Sequence, residues 1–265
     1  MFLTLFANDQ GEVLEHPGVG LLGRSGSDWV VPEDNEMIPL PRGASLVKVS
    51  GCIPVGLDFG DGEQLTCFDE VPGSTDRIQA VAALLPQGFT RTLMPACVKT
   101  VPGKDLPLLG YAAAGLKGDK IFVAAVQSDV HRKWHPVNYN TERLPARIAK
   151  MLKKYPQNRI LRQLAGCSLE YSCFTAQNIF YQRWEGGIPT MPKCNANCMG
   201  CISESHLEVT SPQQRLNFTP EISEIVEIGT EHLSNAKEGI ISFGQGCEGE
   251  PSLNAQNLSR AVKII

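Results

Sequence analysis

Three cysteines, Cys194, Cys198 and Cys201, form a Cys-x3-Cys-x2-Cys array in which Asn195, Ala196, Asn197 and Gly200 are small or turn-prone. Thiolates at this spacing on an irregular loop can converge on one face of a metal centre. A structural zinc site or a ferredoxin-type cluster takes four protein ligands, whereas this array supplies three and leaves one metal position open to chemistry. A closed alternative also exists in the residues: His206 follows the third cysteine and would complete a tetrahedral Cys3His zinc site, catalytically silent and suited to an interaction module. Two further thiols, Cys167 and Cys173, lie upstream, and Cys247 lies downstream. Cys167 and Cys173 read either as secondary metal ligands or as thiols packed in a core, and Cys247 as a secondary metal ligand or a residue facing a substrate. Cys52, Cys67 and Cys97 stand alone in the sequence and read as ordinary core or surface residues.

The chain has 265 residues, 42% of them hydrophobic, enough for one large or two ordinary domains. Nine cysteines is an odd number, and the start Met1-Phe-Leu-Thr-Leu-Phe lacks a basic leader region, so the expected compartment is the reducing cytoplasm and the clustered cysteines read as metal ligands. A net charge of −4 gives no overall attraction to nucleic acid or to an anionic membrane. Apolar runs such as Ile121–Val126 fall far short of the roughly 20 residues that span a bilayer.

Residues 1–140 read as a β-rich domain of short apolar or alternating runs broken by Gly, Pro and Asp. Phe2 to Ala7 turns at Asn8–Gly11 into Val13 and Leu14 as a hairpin, and Ser45–Ser50 and Lys120–Val126 read as strands. Asp76 to Leu85 reads as a helix. Gly18 with Gly20, and Gly60 with Gly62, read as turns. His131 and His135 would need a helix to share a metal, and Pro136 opposes one. Residues 141–183 read as a helical connector carrying the upstream cysteine pair. Leu144, Ile148, Met151, Leu152 and Tyr155 mark its apolar face, and Arg143, Arg147, Lys150, Lys153, Lys154, Arg159 and Arg162 mark a solvated basic one. Residues 184–265 read as β/α units. Thr219 and Pro220 start a helix, Ile240–Phe243 is a buried strand of the parallel kind, Gly244–Pro251 is a glycine-rich loop at its end, and Ala255 begins another helix.

With these elements in order, the chain from about residue 185 onward resembles the opening of a radical S-adenosylmethionine (SAM) enzyme. The hallmark of that family is Cys-x3-Cys-x2-Cys after the first strand of a partial barrel, and Cys194, Cys198 and Cys201 match it. The resemblance implies a [4Fe-4S] cluster on these three cysteines and SAM on the remaining iron. An external electron donor would reduce SAM to methionine and a 5′-deoxyadenosyl radical that attacks an unknown substrate. It also implies a Gly-Gly-Glu-type motif after the second strand. Gly249 and Glu250 match that motif, Glu248 stands where its first glycine belongs, and Gly246 shares the loop as a further cofactor-binding residue. Gly200 stands where many members carry an aromatic residue. The fold implied is α+β overall: a β-rich domain followed by the first units of an incomplete TIM-like barrel. At about 30 residues per unit, the residues after Cys201 hold fewer than two units. The expectation is therefore a truncated or split enzyme, its barrel completed by a second polypeptide.

Overall fold

A computed structural model of the chain describes residues 1–60, 64–70, 77–100, 110–138, 141–198, 201–204, 211 and 213–265. It is mixed α+β, and it divides into two units, Met1–Val137 and Asn138–Ile265.

The first unit is antiparallel. Leu3–Ala7 pairs with Val13–Leu21 in the register Leu5↔Glu15, Phe6↔Leu14 and Ala7↔Val13. The turn between them closes with Asn8 N–H on the Glu12 carbonyl, Gly11 N–H on the Asn8 carbonyl and Glu12 N–H on Asn8 Oδ1. The expected hairpin is therefore present. Ser45–Val49 and Lys120–Gln127 are strands as expected. The sheet runs Phe89–Arg91, Lys120–Gln127, Ala114–Lys117, Leu3–Ala7, Val13–Leu21, Cys52–Asp58 and Cys97–Lys99, and side branches bring the described total to eleven strands.

Two expectations fail in this unit. Within Asp76–Leu85, Asp76 lies outside the described residues, and Gln79–Leu84 is a strand between Leu3–Ala7 and Ser45–Val49. Its alanines favour a helix in isolation, but Ala80, Val81, Ala82 and Ala83 are all buried, and pairing on both edges overrides propensity. Gly18 and Gly20 lie inside the strand Val13–Leu21 rather than in a turn. Gly60 does sit in a turn; Gly62 lies outside the described residues.

The second unit holds five helices among the described residues: α1 (Leu144–Lys154), α2 (Arg159–Glu170), α3 (Phe174–Tyr181), α4 (Ile222–Asn235) and α5 (Ala255–Ile264). The apolar periodicity of α1 buries Leu144, Ile148 and Met151 against Ile160, Leu161 and Leu164 of α2 and Ile179 and Phe180 of α3. Each such side chain removed from water contributes about 1.5–3 kcal/mol. Asn158 caps α2 by accepting from Leu161 N–H, and its amide donates to the Glu224 carbonyl and the Glu227 carboxylate, which ties α2 to α4. Helix α4 starts later than Thr219 and Pro220 suggest. Its N-cap is Glu221, in a reciprocal capping box with Glu224.

Candidate metal centre

The cysteine array and the glycine-rich loop leave the same end of a two-stranded parallel sheet. Glu185–Gly187 pairs with Ile240–Ser242 in the register Glu185↔Ile240, Gly186↔Ile241 and Gly187↔Ser242, with α4 as the crossover. Ile188 N–H continues the ladder onto the Ser242 carbonyl at 3.0 Å. Parallel strands joined through a helix bring their C-terminal ends to one side, which is where ligands sit in such folds. His232 of α4 is buried and donates Nε2–H to the Trp184 carbonyl at 2.9 Å, fixing the start of the first strand; burial holds its ring below the usual histidine value. From Gly187 the chain runs through Ile188–Lys193 to Cys194, and from Ser242 it runs through Gly244–Glu250.

Glu248 fastens these two exits together. Its side chain is buried, and one carboxylate oxygen accepts from Thr190 N–H, Thr190 Oγ1 and Met191 N–H, while the other accepts from Gly244 N–H and Gln245 N–H. Burial pushes this carboxyl above its ordinary value, opposed by the donors around it. The backbone adds two bonds: Gly249 N–H to the Met191 carbonyl at 2.6 Å and Glu250 N–H to the Lys193 carbonyl at 2.9 Å. Gly249 lies so close to the other chain that a Cβ there would stand 1.9 Å from the Lys193 oxygen. A Cβ on Gly246 would meet Ile202, the residue after Cys201, at 2.3 Å. The Glu250 side chain turns to the surface, where it accepts from Ser252 N–H at the start of the Pro251–Asn254 turn, an interaction that lowers its carboxyl.

Of the array itself, Cys194 and Cys198 are exposed and Cys201 is half-buried. Ala196 N–H donates to Cys194 Sγ at 3.4 Å, and Cys201 N–H closes a turn on the Cys198 carbonyl at 3.1 Å. Around Cys201, partial burial works against ionisation, but Ser203 and Glu204 backbone donors, the Ser203 hydroxyl and Arg215 together hold the thiol below its usual value. Arg215 Nη2 lies 3.8 Å from Cys201 Sγ and also pairs with Glu204 at 2.5 Å. As donors, three accessible thiols, one of them biased toward thiolate, fit a cluster that needs three thiolates. Among the described residues no three His, Cys, Asp or Glu side chains are gathered at metal-binding distances, so binding would have to draw the array together. Gly200 of the array and His206 of the Cys3His alternative lie outside the described residues.

The remaining cysteines are arranged differently from their sequence spacing. Cys167 of α2 and Cys247 of the glycine-rich loop are both buried, and half-buried Cys173, the N-cap of α3, donates its N–H to the Cys167 carbonyl at 3.1 Å. Cys52 and Cys97, which look solitary in the sequence, share one face of adjacent strands, because Cys52 sits opposite Lys99 and Cys97 opposite Pro54. Burial and the neighbouring Cys52 push Cys97 up to about 12. His131 and His135 flank a short 3-10 turn, each ring Nδ1 accepting a backbone N–H two residues on, so both are occupied with local turns.

The basic helix face is partly tied down. Arg159 pairs with Glu224 at 2.6 Å, Lys154 pairs with Glu231, and Arg147 lies over the Tyr181 ring. Residues with no distinguishing signal in the sequence include Arg215 at Cys201, and Glu185, whose carboxylate accepts from Ser242 Oγ at 2.7 Å at the strand pair. Only the strand register makes Glu185 conspicuous, and only the return of the chain after the array does so for Arg215. No helix of the described residues is long and apolar enough to cross a membrane. Comparison with protein-family models, with curated proteins and with solved structures finds no match for the chain.

Proposed function

We propose that Asn138–Ile265 binds a [4Fe-4S] cluster through Cys194, Cys198 and Cys201, and SAM against the loop Gly244–Glu250, as the cofactor-binding part of a radical SAM enzyme built on β/α units. One observation carries this reading: the backbone of Gly249 and Glu250 is hydrogen-bonded to Met191 and Lys193, directly before Cys194. Two loops that must share one cofactor are thereby held side by side. When bound, cluster and SAM together supply a 5′-deoxyadenosyl radical for attack on a substrate whose identity the residues do not specify.

The chain's own residues bind and orient. The three cysteines would supply thiolate ligands, Arg215 would offset negative charge at Cys201, and Glu248 would keep the two loops in register through its buried hydrogen bonds. Gly249 leaves room for the Lys193 backbone, and the half-buried Glu250 carboxylate lies at the loop edge, where it is available to an ammonium group.

The test is anaerobic reconstitution of the full chain with iron and sulfide, followed by SAM and a strong reductant. The expected result is a brown protein with iron and acid-labile sulfide, yielding 5′-deoxyadenosine, and loss of the cluster when any one of Cys194, Cys198 or Cys201 is replaced by alanine. A colourless protein holding one zinc, sensitive to loss of His206, would overturn the reading in favour of the Cys3His site.

A further inference from the structure

In the first unit, a hollow of about 380 Å³ opens where the end of Lys120–Gln127 meets Met37–Pro39 and Phe89–Arg91. That volume lies at the small end of ligand sites, enough for about one or two rings with a head group. Its walls are built into the sheet. Ile38 and Pro39 lie opposite Val123 and Phe122, and Phe89 lies opposite Gln127. Leu40 N–H donates to the Ile121 carbonyl at 2.9 Å and fixes the exit toward Arg42. Past the other strand, Ser128 and Asp129 N–H both donate to the Gly88 carbonyl, at 2.9 and 3.1 Å, which fastens the segment that leads to His131.

The lining divides by chemistry. Half-buried Ile38 and Phe89, with Pro39 and Val130, offer an apolar surface that suits a flat body. Arg42 and Arg132 bring two guanidinium groups against one acid among the described lining residues, Asp129, and that acid's Oδ1 already accepts His131 N–H at 2.7 Å. Arg42 takes part in no hydrogen bond, ion pair or ring contact among the described residues. His131 and His135 add donors. Their Nδ1 atoms accept the Lys133 and Val137 N–H groups, each at 3.2 Å, so in the neutral ring the proton stands on Nε2. Neither Nε2 has a partner among the described residues. Guanidinium forks and imidazole Nε2–H groups donate and do not accept, a set that selects an anion with several oxygens. Metal binding by the two imidazoles would need further ligands, and no three His, Cys, Asp or Glu side chains gather at metal-binding distances among the described residues.

We propose that this hollow binds a small organic anion, a flat apolar body bearing a carboxylate or a phosphate ester, with Arg42 as its principal charge partner. The body lies on Phe89 and Ile38, and the oxygens meet Arg42, Arg132 and the imidazole Nε2–H groups. A neutral molecule of the same shape keeps the apolar contact and loses the charge-assisted bonds, so it binds more weakly. The site lies wholly within Met1–Val137 and does not depend on the cluster reading.

The experiment titrates the full chain by calorimetry with naphthyl phosphate, naphthoate and neutral naphthol, which share one ring system, and with inorganic phosphate. The expected result is a single site that binds one of the two anions at least roughly tenfold more tightly than naphthol or inorganic phosphate, the tighter anion identifying the head group. Arg42→Gln should weaken that anion by about tenfold and leave both naphthol binding and the thermal unfolding midpoint unchanged, because Arg42 holds nothing in the fold. In long-range proton–nitrogen spectra, the Nε2 signals of His131 and His135 should move as the anion is added. No binding of either anion, equal affinity for naphthol or for inorganic phosphate, unaltered affinity in Arg42→Gln, or histidine signals that stay in place would each overturn the proposal.

Discussion

The second unit carries two groups of three cysteines with opposite surroundings. Cys194, Cys198 and Cys201 are close in sequence and sit on an irregular loop, two exposed and one half-buried. Cys167 and Cys173, six positions apart, pack in the helical core, and Cys247 lies in the distant glycine-rich loop; two are buried and one is half-buried. The difference assigns each group its chemistry. Thiols that an incoming metal can reach and rearrange suit ligation, whereas thiols buried in an ordered interior are shielded from it.

Alkylation tests this contrast most directly. In the reduced, metal-free chain, iodoacetamide should modify Cys194 and Cys198 in a first phase. Cys167 and Cys247 should react only through local opening, on the order of a hundredfold more slowly, which corresponds to an opening cost of about 2.8 kcal/mol. Peptide-resolved mass spectrometry over time reads the rates. Comparable rates for both groups would mean that α2 and the glycine-rich loop do not pack in solution.

A second comparison separates two glycines of the same loop. Alanine at 249 would drive its Cβ into the Lys193 backbone, which cannot yield without breaking the Met191 and Lys193 hydrogen bonds. Alanine at 246 meets only the end of the Ile202 side chain, which can change rotamer. Gly249→Ala should cost about 3 kcal/mol in urea unfolding and Gly246→Ala about 1 kcal/mol. Equal costs would show that the Gly249–Lys193 approach is not made in solution.

Much of this arrangement was legible in the residues. The hairpin at Asn8–Gly11, the strand at Ile240 and the helix before it follow from turn chemistry and periodicity, which act locally. The parallel pairing of Ile240–Ser242 with Glu185–Gly187 was legible through the order of elements. Gln79–Leu84 was not, because alanine-rich segments take their state from neighbours, and here those neighbours are strands on both edges. Glu248 reads as a departure from a glycine-rich pattern, yet its carboxylate gathers donors from both strand exits. The juxtaposition of Cys52 with Cys97 depends on which strands pair, and linear spacing carries no trace of that.

The smallest effect concerns the clamp that sets α2, and with it Cys167, against α4. Partial burial raises the Glu224 carboxyl, but the Arg159 guanidinium and the backbone N–H groups of Glu221 and Arg159 outweigh it and hold the group below its ordinary 4.5. A carboxylate depressed in the folded state stabilises above its unfolded value, and that contribution is lost as pH falls through the folded one. Wild-type chain should therefore exceed Glu224→Gln in urea midpoint at neutral pH, with the gap closing as pH drops below 4.5. Glu231, lowered in the same way chiefly by Lys154 against its own burial, titrates in both proteins and cancels from the difference. A gap that stayed constant across this range would mean that Glu224 acts through its shape and neutral hydrogen bonds rather than its charge, and that the contact between α2 and α4 is held by Asn158 and the apolar core.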